Sequence, residues 1–368
     1  MTYDYIIVGS GIFGSCFAYE MHKNGFKCLI LEKRSHIGGN IYTSKIDDVH
    51  VHEYGAHIFH CNDIKLWNYV NKFAKIEPFF HRVKVNFSGN LYSFPINLMT
   101  LHQLWKTRTP EEAIAKLESV KLKIDNPSNM EDWLLSNFGE EIYRTFFYGY
   151  TLKQWGREPK KLPASIAKRI PFRTNFNDTY YDSKFQGLPA NGYTEIIENM
   201  TKDIDVLTGV DYLKDRKYYD SKCKKIIYTA TLDAFFDYQF GELEYRSLRF
   251  EKELHNIKDY QGCAVMNYTS KDVPFTRICE HKHLCKSTTN RTIITKEFPQ
   301  SWDRSKEPYY PINDEKNNER LLEYKKLAES INEKYIFGGR LAAYKYYDMH
   351  QVIASSLECS KKELLSHG

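Results

Sequence analysis

The chain has 368 residues, 42% hydrophobic and 27% charged, with a formal net charge of +5. That length suits roughly two or three domains with a large core, and the balance excludes a disordered, collagen-like or coiled-coil chain. No Lys/Arg block is long enough for nucleic-acid binding, and no apolar run reaches the about 18 residues of a membrane span. The start carries no signal-peptide pattern, and the eight cysteines are scattered, so a cytoplasmic, reducing compartment is expected. Aromatic residues make up 15% of the chain, with 28 Tyr, a composition suited to sugar and base recognition.

The clearest pattern opens the chain. Tyr5-Ile6-Ile7-Val8 reads as a buried strand, followed by Gly9-Ser10-Gly11-Ile12-Phe13-Gly14. A helix is predicted over Ser15 to Asn24, with Gly25 past its end. A second strand, Lys27 to Leu31, ends in Glu32, which follows Gly11 by 21 residues. Strand, glycine turn, helix, strand and acid at this spacing form a dinucleotide fingerprint. Gly9 allows the tight turn, Gly11 lets backbone approach a pyrophosphate, and Gly14 lets helix and strand pack closely. The helix N-terminus offers free N–H groups to phosphates, and Glu32 offers its carboxylate to ribose hydroxyls. A second glycine pair, Gly38-Gly39 before Asn40, tilts the cofactor towards FAD.

From Asn97 to about Asn177 apolar residues recur at helical spacing. Thr109-Pro110-Glu111-Glu112 reads as a helix start, and Ser128 with Glu131 as a capping box. From Leu243 to Phe298 the chain reads as strands. Lys224 to Ala230 and Tyr335 to Phe337 read as late strands of the nucleotide fold, and Met349 to Leu365 as a closing helix. The expected fold is α/β: a Rossmann-like FAD-binding domain with an inserted helical domain and an antiparallel β-sheet domain. The FAD domain is expected over 1–80, 185–240 and 312–368, the helical domain over 97–177, and the sheet over 81–96 and 243–311. Cys279, His281, His283 and Cys285 could share a face of an extended segment, but the spacing fits no usual zinc module, and no metal is expected.

Six further segments appear in a set order. They are Tyr54–His60, Phe146–Gly156, Leu162–Pro171, Val273–Arg277, Glu307–Pro311 and Gly339–Met349. Together with the fingerprint they closely resemble the bacterial UDP-galactopyranose mutases, and they span almost the whole chain. The resemblance implies an isomerase that interconverts UDP-galactopyranose and UDP-galactofuranose without net redox change, through a covalent flavin–sugar adduct of reduced FAD. It also implies a reductant for the flavin, a homodimer, and a supply of galactofuranose to surface polysaccharide.

The same resemblance implies roles for residues. Arg169 and Arg277 would clamp the diphosphate, with Tyr150, Tyr180, Tyr310 and Tyr346 donating hydroxyls. Phe146, Phe147, Thr151, Trp155, His81 and Asn267 would receive the rest of the UDP-galactose. His60, on the same loop as His57, would stand against the flavin's central ring and hydrogen-bond the flavin or tune its reduced form, and Asp348 would stand near sugar and flavin. Gly9, Gly11, Phe13, Gly14, Glu32, Lys33, Gly39, Asn40, His57, Ile58, Gly339, Arg340, Tyr347, Asp348 and Met349 would hold the cofactor. Most of these have an ordinary use as well: Phe146 and Phe147 as core, the histidines as satisfied core residues, Asp348 as the cap of the last helix.

Three positions depart from the common family pattern: Ala56 for a frequent proline, His81 for an asparagine, and Thr229-Ala230-Thr231 for a Gly-Pro. Two substrate ranges fit, UDP-galactose alone or with UDP-N-acetylgalactosamine. Two other functional classes share the fingerprint: an FAD-dependent amine-oxidase-like oxidoreductase, and a non-enzymatic binding module of the Rab escort (GDI-like) type.

Overall fold

A computed structural model describes residues 2–367. Strands β1 (Tyr3–Val8) and β2 (Cys28–Glu32) flank helix α1 (Ile12–Lys23). All of β2 and the second half of β1 are buried, as continuous apolar strands of a parallel sheet must be. The helix starts earlier than the sequence predicts, with Gly11 as its N-cap. Five parallel strands follow in the order Asp205–Thr208, β2, β1, Cys223–Tyr228, Tyr335–Phe337. The closing helix, Met349–Leu365, packs along α1. Two buried hydrogen bonds tie it down: Ser356 Oγ donates to Phe13 O at 2.8 Å, and Tyr5 Oη to Glu363 Oε1 at 2.9 Å.

A seven-stranded sheet forms the second layer. Its order is Tyr310–Pro311, Tyr245–His255, Thr292–Ser301, Arg277–Glu280, Val265–Tyr268, Val83–Phe87, Asn90–Phe94. The expected sheet was antiparallel throughout; one junction, Val265–Tyr268 against Val83–Phe87, is parallel. Those two strands are far apart in sequence, with the helical block, two strands of the parallel sheet and Tyr245–His255 among the elements between them.

The helical block runs from Leu98–Trp105 through Pro110–Val120 and Met130–Ile142 to Gly149–Trp155 and Ser165–Lys168. Thr109 caps the second helix, accepting from Glu112 N. The third is capped by Asn129, which accepts from Asp132 N, one position beyond the predicted Ser128. Between the third and fourth helices Tyr143–Tyr148 forms a π-helical turn. Such turns insert an extra residue into the helical phase. Among the described residues no helix is long and apolar enough to cross a membrane.

The parallel strands end together on one side. Thr229, just past the fourth of them, donates its N–H and Oγ1 to Val8 O at 3.1 and 2.7 Å. Gly338 N donates to Tyr228 O at 3.1 Å. The Phe13 ring lies on the Gly338 backbone: a Cβ there would sit 2.1 Å from Phe13 Cζ. Gly338→Ala is therefore expected to cost about 1–3 kcal/mol, the usual range for overpacking. Urea denaturation checks this, and an unshifted midpoint would contradict the packing.

Candidate active site

A cavity of about 820 Å³ opens at that edge of the parallel sheet and runs to the large sheet. Open α/β sheets bind ligands at this location. At one end lies the glycine loop. Gly9 and Gly14 leave no room for a side chain, since a Cβ would sit 2.3 Å from Thr229 Oγ1 and 2.1 Å from Gly9 O respectively. A Cβ on Gly11 would meet nothing within 4 Å. The loop is thus packed tight behind and open in front, with the N-terminus of α1 facing the space. The second turn closes on the first: a Cβ on Gly39 would approach Gly11 Cα to 3.1 Å.

Glu32 is buried at 6% exposure. Its Oε2 accepts from Ser10 N and Oγ at 2.9 and 2.6 Å, and Oε1 from Arg34 N at 2.9 Å. A carboxylate offers about four lone-pair positions, so these three bonds fix its orientation and leave capacity for a ribose hydroxyl. Open backbone, unpaired helix N–H groups and a held carboxylate together fit a dinucleotide. Every residue expected to hold the cofactor borders the cavity, from Gly9, Gly11, Phe13 and Gly14 through Lys33, Gly39, Asn40, His57 and Ile58 to Gly339, Arg340, Tyr347, Asp348 and Met349.

At the other end stand the two arginines. Arg277 begins a strand of the large sheet, and its Nε lies 3.1 Å from Glu297 Oε2 on the neighbouring strand. Its Nη2 donates to Tyr150 Oη at 3.0 Å. Burial pushes the Glu297 carboxyl up while Arg277 pulls it down; an arginine stays charged in such a setting. Arg169 follows the last short helix of the helical block. Its guanidinium lies 4.2 Å over the Tyr346 ring, and Tyr346 stacks on Tyr310 at 5.4 Å. Asp348 stands between Arg169 Nη2 at 3.8 Å and His60 Nε2 at 4.0 Å. Burial raises the phenols of Tyr150, to about 12, and Tyr180, so both remain hydrogen-bond donors.

The histidines of this wall are neutral. Burial lowers His57 and His60 to about 4, and His81 to about 3. His57 Nδ1 meets Gly55 O at 2.7 Å; His60 Nδ1 meets Ser183 Oγ at 2.9 Å while its ring stacks on Tyr181 at 3.8 Å. The positive charges at this end are guanidiniums, Arg169 beside Asp348 and Arg277 beside Glu297, a type of group that forms charge-assisted, forked bonds to anions.

Tyr150, Arg169, Tyr180, Asn267, Arg277, Tyr310, Tyr346, His60 and His81 border the cavity. Four expected substrate residues do not. Phe146, Phe147 and Thr151 are buried at 3 to 4%: Phe146 packs on Tyr92 and Phe94, and Phe147 on Phe138. The π turn shifts the helical phase, so Tyr150 reaches the cavity while the two phenylalanines turn into the core. Trp155 is half-buried, 6.3 Å from Tyr310. Three participants were not foreseen. Tyr181 backs His60, Glu297 pairs with Arg277, and Arg34 lies 4.3 Å over Tyr54 while bonding Asn40 and Glu307. No local pattern pointed to Glu297, since its strand, Thr292–Ser301, buries its first four residues in a row without alternation.

The Cys/His segment is not extended, because His281–Leu284 forms a tight helical turn. His281 bonds Thr295 Oγ1 at 2.7 Å, and His283 stands 3.4 Å from Glu280 and 3.3 Å from Asp259. The four side chains therefore do not share a face.

The family model of UDP-galactopyranose mutase matches residues 145–346, and that of an NAD(P)-binding Rossmann-like domain residues 7–73. A probable UDP-galactopyranose mutase of Klebsiella pneumoniae is 43% identical over 98% of this chain and 94% of its own. The chain belongs to the UDP-galactopyranose mutase family. A dTDP-fucopyranose mutase of Escherichia coli is 38% identical over 97% of both chains. Among solved structures, a reduced UDP-galactopyranose mutase superposes with a TM-score of 0.77 at 14% identity, covering 99% of this chain and 94% of its own. Putrescine oxidase superposes at 0.60 and 11% identity, over 99% of both chains, which is a likeness of fold alone. The chain is accordingly an isomerase of this mutase family, and the amine-oxidase-like and binding-module alternatives are set aside.

Two outcomes follow. Gly11→Ala is expected to leave the cofactor-free protein within about 1 kcal/mol of the parent while strongly weakening dinucleotide retention, because the new methyl projects into the cavity; equal retention would contradict the open face. The second concerns acid. His52, His57, His60, His81 and His281 are all held below their usual value by burial, with His281 at about 3. Below pH 6.5 the unfolded chain takes up protons that the folded chain refuses, so stability falls as pH falls towards 4. Each such histidine contributes up to about 1.4 kcal/mol per pH unit. Denaturation midpoints between pH 7 and 4.5 measure the slope, which a His281→Gln variant should lessen.

Proposed function

We propose that the chain interconverts UDP-galactopyranose and UDP-galactofuranose with FAD as cofactor, active in its reduced form. The observation that carries this reading is one cavity with a dinucleotide cradle at one end and Arg169, Arg277 and a set of phenols at the other. Gly9, Gly11, Gly14, Glu32 and Gly39 would hold the flavin, which in its reduced form would supply nucleophilic electron density at the sugar without net oxidation. The residues of this chain do the rest. Arg169 and Arg277 hold the diphosphate before and after it leaves, and the charge they meet grows as the sugar departs. Tyr150, Tyr180, Tyr310 and Tyr346 donate to its oxygens without adding charge. His60 keeps Nδ1 on Ser183 and, held neutral by burial, offers Nε2 as an uncharged hydrogen-bond partner to a sugar hydroxyl. Asp348, set between Arg169 and His60, orients both. The reading takes an external reductant and a homodimer, as the family resemblance implies.

Because its relatives are named for two nucleotide sugars, the substrate is tested as a panel: UDP-galactofuranose, UDP-N-acetylgalactofuranose and dTDP-fucofuranose. Turnover of UDP-galactofuranose is expected after dithionite reduction and not before. Equal turnover by oxidised protein would overturn the cofactor role, and preference for dTDP-fucofuranose the sugar assignment. Arg169→Ala and Arg169→Lys are expected to lose about a hundredfold or more in kcat/KM, since Lys lacks the planar fork, with flavin content unchanged. Arg277→Ala strands the buried Glu297, which costs about 3–5 kcal/mol; Arg277→Ala with Glu297→Gln should recover stability but not activity. Near-normal turnover by Arg169→Ala would contradict the clamp.

A further inference from the structure

The helical block meets the large sheet along one seam. Thr145, Gly149 and Lys153, on the π turn and the helix after it, all meet the 268–275 loop of the sheet. Thr269 Oγ1 donates to Thr145 O at 2.6 Å. Gly149 has no room for a side chain, since a Cβ would lie 2.3 Å from Thr269 O. Lys153 Nζ donates to three main-chain carbonyls, Tyr268 O at 2.7 Å, Ser270 O at 2.8 Å and Phe275 O at 2.9 Å. An ammonium has three donors and no acceptor, so these three carbonyls fill its capacity. Burial lowers its pKa to about 8, with Asp272 acting in the opposite sense.

The loop so gripped leads directly into Arg277, and Tyr268 N donates to Thr276 O at 2.8 Å across its base. The helix that grips it carries Tyr150. Arg277 is fixed to the sheet by Glu297, and Tyr150 rides on the helix. The 3.0 Å bond between them spans two units of the fold. Its length depends on whatever sets helix against sheet, and the three-carbonyl grip of Lys153 does that. From the other side, Arg246 Nε donates to Gln154 O at 2.9 Å and Nη2 to Lys153 O at 3.1 Å, which pins the end of the same helix.

We infer that Lys153 is a positioning residue for the diphosphate site: its grip on the 268–275 loop holds Tyr150 and Arg277 at bonding distance. This rests on the reading that Tyr150 and Arg277 bind the diphosphate of UDP. A neutral side chain at 153 takes the ammonium donor from all three carbonyls, leaving Ser270 O only its 3.4 Å bond from Val273 N; the loop relaxes from the helix, and the Tyr150–Arg277 pair opens. Neither residue of the pair is itself changed.

The test is the affinity of flavin-loaded protein for UDP, measured by calorimetry on the parent, Lys153→Met, Tyr150→Phe and the double variant. Lys153→Met is expected to weaken UDP binding about tenfold, and to do much less in the Tyr150→Phe background, as coupled sites do; flavin content should not change. In turnover the loss should appear in KM more than in kcat, because the diphosphate is held in ground and transition states alike. Parental UDP affinity in Lys153→Met, or the same fold-loss in both backgrounds, overturns the inference even if the thermal midpoint falls. If Lys153→Met does not fold, Thr269→Val decides: weaker UDP binding supports the seam, and unchanged binding overturns it. A parent that binds no UDP overturns instead the reading beneath the inference.

Discussion

A guanidinium and a carboxylate sit against each other inside the large sheet, Arg277 on one strand and Glu297 on the next. Glu297 is 2% exposed, and such a pair persists only where each partner keeps the other charged. The rest of the site is built outward from it. The helical block brings Tyr150 to the free face of the guanidinium. The parallel sheet brings the glycine loop and Glu32 to the far end of the same cavity. Arg169 is supported differently, by an aromatic stack, and is more exposed. One cation is thus rigid and pre-paired, the other held on a ring face. An anion that must be bound, released and bound again meets one fixed and one adaptable contact.

Much of the nucleotide end was legible from sequence because its logic is local. Gly9, Gly11, Gly14 and Glu32 act through turn geometry and helix termini, which a short stretch of chain determines. The substrate end was legible only through resemblance, which does not say which of its residues turn into the core. A regular helix would set Phe146, Phe147, Tyr150 and Thr151 on one side, but the π turn at Tyr143–Tyr148 separates them. Glu297 and Tyr181 act through partners far away in sequence, Arg277 and His60, so no local pattern marks them. The same holds for Lys153: a lysine on a helix reads as a solvated charge until the loop it grips is in place.

The neutral histidines give the cavity an unusual electrical character. His57, His60 and His81 line a wall on which burial also raises the phenols of Tyr150 and Tyr180, so the formal charges there belong to the arginines and to the carboxylates beside them, Asp348 and Glu297. In a region of reduced solvent, fixed charges act more strongly than they would in water. On the proposed reading a departing diphosphate would be held by charge while the sugar would meet neutral donors and acceptors, a separation suited to releasing one bond without pulling on the other.

The parallel sheet is threaded out of order. Strand β1 lies between β2 and Cys223–Tyr228, and the last strand, Tyr335–Phe337, covers the open side of the latter. During synthesis on the ribosome, β1 and β2 emerge first and can pair at once. The outer edge of β1 then waits for some two hundred residues of intervening chain, and the edge beyond it waits longer still. An unpaired apolar strand edge invites association with other chains. The dinucleotide cradle, which needs Thr229 and Gly338 behind Gly9 and Phe13, is completed only once Gly338 has emerged. Nascent chains of this architecture therefore carry an exposed, unfinished cofactor site until then, a demand on the chaperones that meet them first.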